Sequence, residues 1–125
     1  MNNVSFFEIQ ATDPEKSITF YKTVFGWTFT EQPGMAVKYW HIDTEGITGG
    51  LLERPAKAPG AGFGTNAFVC SMEVENFDAM AAKITENGGT VALPKFAVPG
   101  KCWQGYFLDI DGNTFGIFQV DEHAA

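Results

Sequence analysis

Apolar and polar residues follow two different periods along this chain, and the switches between them mark its elements. Residues 4–10, VSFFEIQ, are rich in β-branched and aromatic side chains and predict a strand. In DPEKSITFYKTVFGW the apolar residues move to helical spacing: Ile18, Tyr21 and Phe25, with Phe20 and Val24 beside them. Asp13 suits the N-cap, because its side chain can accept an otherwise unpaired backbone N–H. Pro14 fits the first helical position, Glu15 the first turn, and Gly26 the end. WTFTEQ, VKYWHID and ITGGLLER predict three further strands, the last two joined by a turn at residues 43–46. Residues 55–65 then lose all periodicity and are rich in Pro, Ala and Gly, which predicts a linker.

After the linker the same order returns. AFVCSMEV predicts a strand, and ENFDAMAAKITENGG a helix capped by Asn76 and closed by Gly88 and Gly89. TVALPKFAV predicts a strand, and KCWQGYFLDI with NTFGIFQV a hairpin around Asp111 and Gly112. DEHAA reads as a polar, frayed tail. The chain therefore carries one strand–helix–three-strand unit twice, at about 4–54 and 66–120, within a single domain over residues 1–125. The two N-caps lie 63 positions apart and the two hairpin turns 66 apart. On the second offset Gly116 falls opposite Gly50, so each unit has a glycine at the same place in its last strand, where glycine has no side chain to pack.

Composition narrows the classes. A chain of 125 residues is long enough to bury a core without disulfide or structural metal. The net charge of −7 disfavours nucleic acid and anionic membranes as partners. Cys70 and Cys102 form no disulfide framework and no zinc-type spacing. The first ten residues lack the basic and apolar regions of a signal peptide, and no apolar run approaches a membrane span. A soluble cytoplasmic protein is the expectation.

Two such units joined by a Gly/Pro-rich linker, with FYKTVFGW closing the first helix and LDIDGNTFGIFQ near the end, resemble the vicinal oxygen chelate superfamily. This group includes glyoxalase I, bleomycin-resistance proteins, fosfomycin-resistance enzymes and extradiol dioxygenases. The resemblance implies an α+β fold in which two tandem βαβββ units form a curled mixed-sheet cup with helices on the outside. It implies a homodimer as well. Its metalloenzymes place His or Glu ligands at four related sites, one in the first and one in the last strand of each unit. A divalent ion held there acts as a Lewis acid toward neighbouring substrate oxygens. Carried onto this chain, the four positions read Phe6, Gly50, Val69 and Gly116, none of which can bind a metal. The expectation is a site with no metal and no other cofactor.

Strand alternation places Glu8 on the face of Phe6 and Ser71 on that of Val69. Pairing the last hairpin about Asp111 and Gly112 sets Phe107 opposite Gly116 and Gly105 opposite Phe118; the first unit's equivalent sets His41 opposite Gly50. The expected ligand-binding lining is then Phe6, Glu8, His41, Gly50, Val69, Ser71, Trp103, Phe107, Gly116 and Phe118, with Trp40 and Tyr106 on the opposite face. Glu8 and His41 are the candidate catalytic pair, although Glu8 could equally pair with Lys38 and His41 could simply bond across the sheet. Cys70 reads as a buried small hydrophobe and Cys102 as an exposed thiol. Three functions remain open: a metal-independent protein binding a small apolar or aromatic molecule, a metal-dependent lyase, isomerase or dioxygenase of the superfamily, and a non-enzymatic interaction module.

Overall fold

A computed structural model describes residues 1–60 and 62–125; residue 61 of the expected linker lies outside the described residues. The chain divides into two compact units, Met1–Phe63 and Gly64–Ala125. The first contains β1 (Phe6–Ala11), α1 (Pro14–Phe25), β2 (Thr28–Glu31), β3 (Tyr39–Asp43) and β4 (Thr48–Glu53). The second repeats the order as β5 (Ser71–Glu73), α2 (Phe77–Glu86), β6 (Thr90–Val98), β7 (Cys102–Leu108) and β8 (Thr114–Val120). Each unit is a βαβββ motif with a mixed four-stranded sheet, ordered β1-β4-β3-β2 and β5-β8-β7-β6. The first and last strands of each unit run parallel at the sheet centre and edge, and the remaining neighbours are antiparallel. The fold class is α+β.

The helices start and stop where the side chains dictate. The Asp13 carboxylate accepts the Lys16 N–H, Pro14 opens α1, and Gly26 ends it in a left-handed conformation at φ 73°. Asn76 caps α2 by accepting the Ala79 N–H at 2.9 Å. Gln119, from β8, accepts the Phe77 N–H at 2.7 Å and so ties the start of α2 to its sheet. One face of each sheet packs on its helix. In the first unit Ala11, Ile42 and Leu51 are fully buried, with Phe7, Ile9, Ile18, Trp27, Phe29 and Trp40 against them. In the second, Phe77 of α2 packs on Phe107 and Phe107 on Phe115, and Ile84 of α2 and Ile117 of β8 are fully buried. Each fully buried Leu, Ile or Phe among them contributes about 1.5–3 kcal/mol by leaving water.

Three local expectations need correction. The strand expected over AFVCSMEV shrinks to Ser71–Glu73. Continuing the parallel register would bring Val69 to Thr114, but the Thr114 hydroxyl meets that of Thr65 at 3.1 Å instead. Val69 therefore precedes the sheet, and Cys70, expected buried, is exposed. The tail is not frayed. Asp121 donates its N–H to Lys101, the Ala124 carbonyl accepts from Gly100, both at 2.9 Å, and Ala124 is buried. The Asp121 carboxylate accepts from the His123 N–H and the Trp103 indole, and these two bonds, in that order, hold it below the ordinary carboxylate range.

The third correction is the register of β7 on β8. Leu108 pairs with Thr114, Tyr106 with Gly116 and Gln104 with Phe118. The turn between them spans residues 109–113, whereas residues 44–47 join β3 to β4, so the second turn is one residue longer. Asp109 makes this possible. Its buried carboxylate accepts the Asp111 N–H at 2.8 Å, the Asn113 N–H at 2.9 Å and the Asn113 side chain at 3.1 Å. A one-residue shift exchanges the faces of a strand. Trp103, Gly105 and Phe107 thus lie on the helix side, and Gln104 and Tyr106 on the other. Asp109→Ala strands three donors in the turn and should lower unfolding free energy by about 2 kcal/mol, read from urea denaturation; a loss below about 0.5 kcal/mol would show that the backbone alone holds the turn.

Candidate functional site

The face of each sheet turned away from its own helix carries the chemistry. In the first unit strand alternation puts Phe6, Glu8, Tyr39, His41, Asp43, Gly50 and Leu52 there. Glu8 and His41 are both register partners of Gly50, one on each side of it. Tyr39 was not singled out by sequence, yet it organises this face. Its ring crosses β4 above Gly50, and its hydroxyl donates to Glu8 Oε2 at 2.8 Å. A Cβ on residue 50 would collide with the Tyr39 hydroxyl and ring. Glycine is required at position 50 because a side chain from β3 passes over β4 to reach β1.

The second unit repeats the device with different residues. Gln104 on β7 donates across Gly116 of β8 to Ser71 Oγ on β5, at 3.3 Å. A Cβ on Gly116 would stand 2.8 Å from Gln104 Nε2 and 3.1 Å from Tyr106 Cδ1, and against Ser71 Oγ. Ser71 is the register partner of Gly116, as Glu8 is of Gly50. Gln104 pairs with Phe118, two residues past its glycine, as Tyr39 pairs with Leu52. The two bridges are equivalent by the repeat.

The structure sorts the expected lining into two groups. Phe6, Glu8, His41 and Gly50 share one face in the first unit, and Ser71, Gly116 and Phe118 share one in the second, joined by Gln104, Tyr106 and Phe96. Trp103 and Phe107 do not belong to it. Phe107 packs on Phe77 at 6.3 Å between centroids. Trp103 lies under the Lys95 ammonium, 4.7 Å from its ring, while that ammonium pairs with Asp78 at 3.1 Å. Val69 lies ahead of β5. The space over Gly116 is taken by Gln104, Ser71 and Tyr106.

Charge on the first face is set by few groups. Glu8 is exposed, and one of its oxygens accepts from Tyr39. His41 Nε2 lies 3.4 Å from Asp43 Oδ1, along its own strand. Burial first, then the hydrogen bond to Glu8 and its negative charge, push the Tyr39 hydroxyl up to about 12. Tyr39 therefore stays protonated and serves as a donor. The four positions that the family resemblance assigns to metal ligands hold two glycines, Phe6 and Val69. None supplies a donor side chain, and over each glycine the space a carboxylate would need holds a bridge. These residues do not fit the metal. Among the described residues no three His, Cys, Asp or Glu side chains gather to hold an ion.

The family model for the Glyoxalase/Bleomycin resistance protein/Dioxygenase superfamily matches residues 3–117. The chain belongs to this superfamily. Its glyoxalase-type relatives include CFP32 of Mycobacterium bovis, whose name assigns it provisionally to the glyoxylases, 23% identical over 120 residues and 93% of this chain. The present chain spans about half, 45%, of that relative's length. Among solved structures, a hypothetical protein from S. aureus is similar with TM-score 0.72 and 26% identity, covering 95% of this chain and 98% of its own. A fosfomycin resistance protein from Listeria monocytogenes is similar with TM-score 0.73 at 15% identity, covering 94% and 90% respectively, which is a likeness of fold. No helix among the described residues is long and apolar enough to cross a membrane.

The Tyr39–Glu8 bond makes a pH signature. The Tyr39 hydroxyl titrates at about 12 in the folded chain against 10.0 ordinarily, so the folded state keeps a proton that the unfolded chain releases. Its contribution to stability is complete below pH 10 and lost as pH rises towards 12. Tyr39→Phe should remove that component of alkaline destabilisation, and Gly50→Ala should return one tyrosine titration towards the ordinary value, both read by ultraviolet titration and denaturation. An unaltered alkaline profile in Tyr39→Phe would remove this role from the bridge.

Proposed function

We propose that this protein binds a small apolar or aromatic molecule without a metal ion. One observation carries the reading: the two last-strand positions to which the resemblance assigns a carboxylate ligand hold glycines, and a hydrogen-bonded bridge of side chains crosses each glycine. A three-ligand metal site has nothing to rest on at these positions. The aromatic side chains beside the bridges support an aromatic or apolar guest. Phe6 and Tyr39 serve the first face, and Tyr106, Phe118 and Phe96 the second, with Phe96 stacked on Tyr106 at 6.3 Å. Each bridge holds polar groups on its own sheet face, where a guest can be oriented by a hydrogen bond. Sequestration or delivery, rather than turnover, is the role this supports, in a cytoplasmic homodimer. The glyoxylase and fosfomycin resistance names of its relatives belong to those proteins, and fold alone does not carry activity across.

Thermal unfolding with a panel of aromatic and apolar compounds, in the presence of a chelator, tests the proposal. A ligand at a hundredfold excess over its Kd should stabilise by about 2.7 kcal/mol with the chelator present. A stoichiometric divalent ion retained through gel filtration and lost in Glu8→Ala together with His41→Ala would establish the metalloenzyme reading instead. A panel without a single stabilising compound would favour an interaction module. Light scattering checks the dimer.

A further inference from the structure

The two bridges differ in one respect that the fold does not require. In the second unit a neutral pair, Gln104 and Ser71, crosses Gly116. The same crossing over Gly50 is made by Tyr39 with a carboxylate, Glu8. The repeat is thus an internal control: a neutral acceptor suffices to complete the bridge. The charge on Glu8 exceeds what the architecture needs. Among the described residues Glu8 makes no ion pair. Only Oε2 is engaged, and Oε1 takes no hydrogen bond from the described residues. The strand residues sharing its face include no Lys or Arg; Arg54, whose N–H extends the β4 pairing to Ala11, follows Leu52 by two residues and has a partner of its own, and His41 lies against Asp43. Phe6, two residues before Glu8 on the same face, is 45% exposed, and the Tyr39 ring lies over Gly50, the register partner of Glu8.

We propose that Glu8, oriented by Tyr39 across Gly50 and sharing its face with the Phe6 and Tyr39 rings, seats the ammonium group of an organic cation with an aromatic or apolar body. This rests on the reading of the protein as a small-molecule binder and names the class of its ligand. A carboxylate with one oxygen fixed offers the other to an N–H donor, and aromatic faces beside it attract the same positive charge. The second unit's Ser71–Gln104 bridge, lacking charge, gives no such preference. An ammonium ion on Glu8 needs no reaction and no co-reactant.

Three probes of matched shape test this: benzylammonium, benzyl alcohol and benzoate, titrated by NMR at neutral pH. Benzylammonium should bind about fivefold more tightly than benzyl alcohol, the value of one exposed ion pair, and benzoate more weakly than either. Glu8→Gln keeps an acceptor for the Tyr39 hydroxyl and so preserves the bridge. In that variant the preference for benzylammonium over benzyl alcohol should vanish. Because the chain's net charge of −7 attracts any cation weakly, Glu86→Gln on α2 serves as a matched change of charge and should leave the preference intact. Equal binding of the three probes, or a preference that survives Glu8→Gln, or one lost equally in Glu86→Gln, overturns the ammonium seat while the small-molecule reading stands. Failure of every probe and of the wider aromatic panel removes both.

Discussion

A side chain can cross an inner strand only where that strand has no side chain of its own. This constraint shapes both units. Tyr39 reaches Glu8 over Gly50, and Gln104 reaches Ser71 over Gly116. A glycine inside a strand costs about 0.5–1 kcal/mol relative to alanine. A hydrogen bond returns a net of about 0.5–1.5 kcal/mol. The two nearly offset each other, so the bridges add little stability. What they supply is position: a carboxylate and a hydroxyl held at the middle of their sheet faces, on rigid strands. Burial on the opposite faces, around Leu51 and Ile117, does the stabilising.

Much of the scaffold was legible because its signals are local. Asp13, Pro14 and Gly26 announce α1, and Asn76 announces α2, through hydrogen bonds made within a few residues. The repeat was legible too, and its first-strand offset correctly aligns Glu8 with Ser71 as register partners of the two glycines. The equivalence of Gly50 and Gly116 pointed to the two strand positions that the bridges cross.

What escaped were effects of distance and of single-residue length. That Tyr39 leans diagonally over a neighbouring strand depends on a partner 31 positions away, and nothing in YWHID declares it. Asp109 looked like part of a tight turn centred on Asp111 and Gly112, but its carboxylate gathers three donors and widens the turn. The tail looked polar and loose, yet its hydrogen bonds to residues 100 and 101 and the Trp103 indole hold it. Pro94 in β6 hides a further irregularity. It cannot donate to the ladder, and the pairing with β7 slips on both sides of Leu93.

The longer turn at residues 109–113 has a meaning for how such a chain can diverge. β3 and β7 present equivalent residues on the same faces, Tyr39 with Gln104 and His41 with Tyr106, although the turn behind β7 is one residue longer. The extra residue is taken up between the strands, where the Asp109 carboxylate gathers the turn, and no side chain moves to the other face. Two copies of one unit can therefore drift apart in loop length as well as in composition, while the alternation of inward and outward positions passes unchanged from one half to the other.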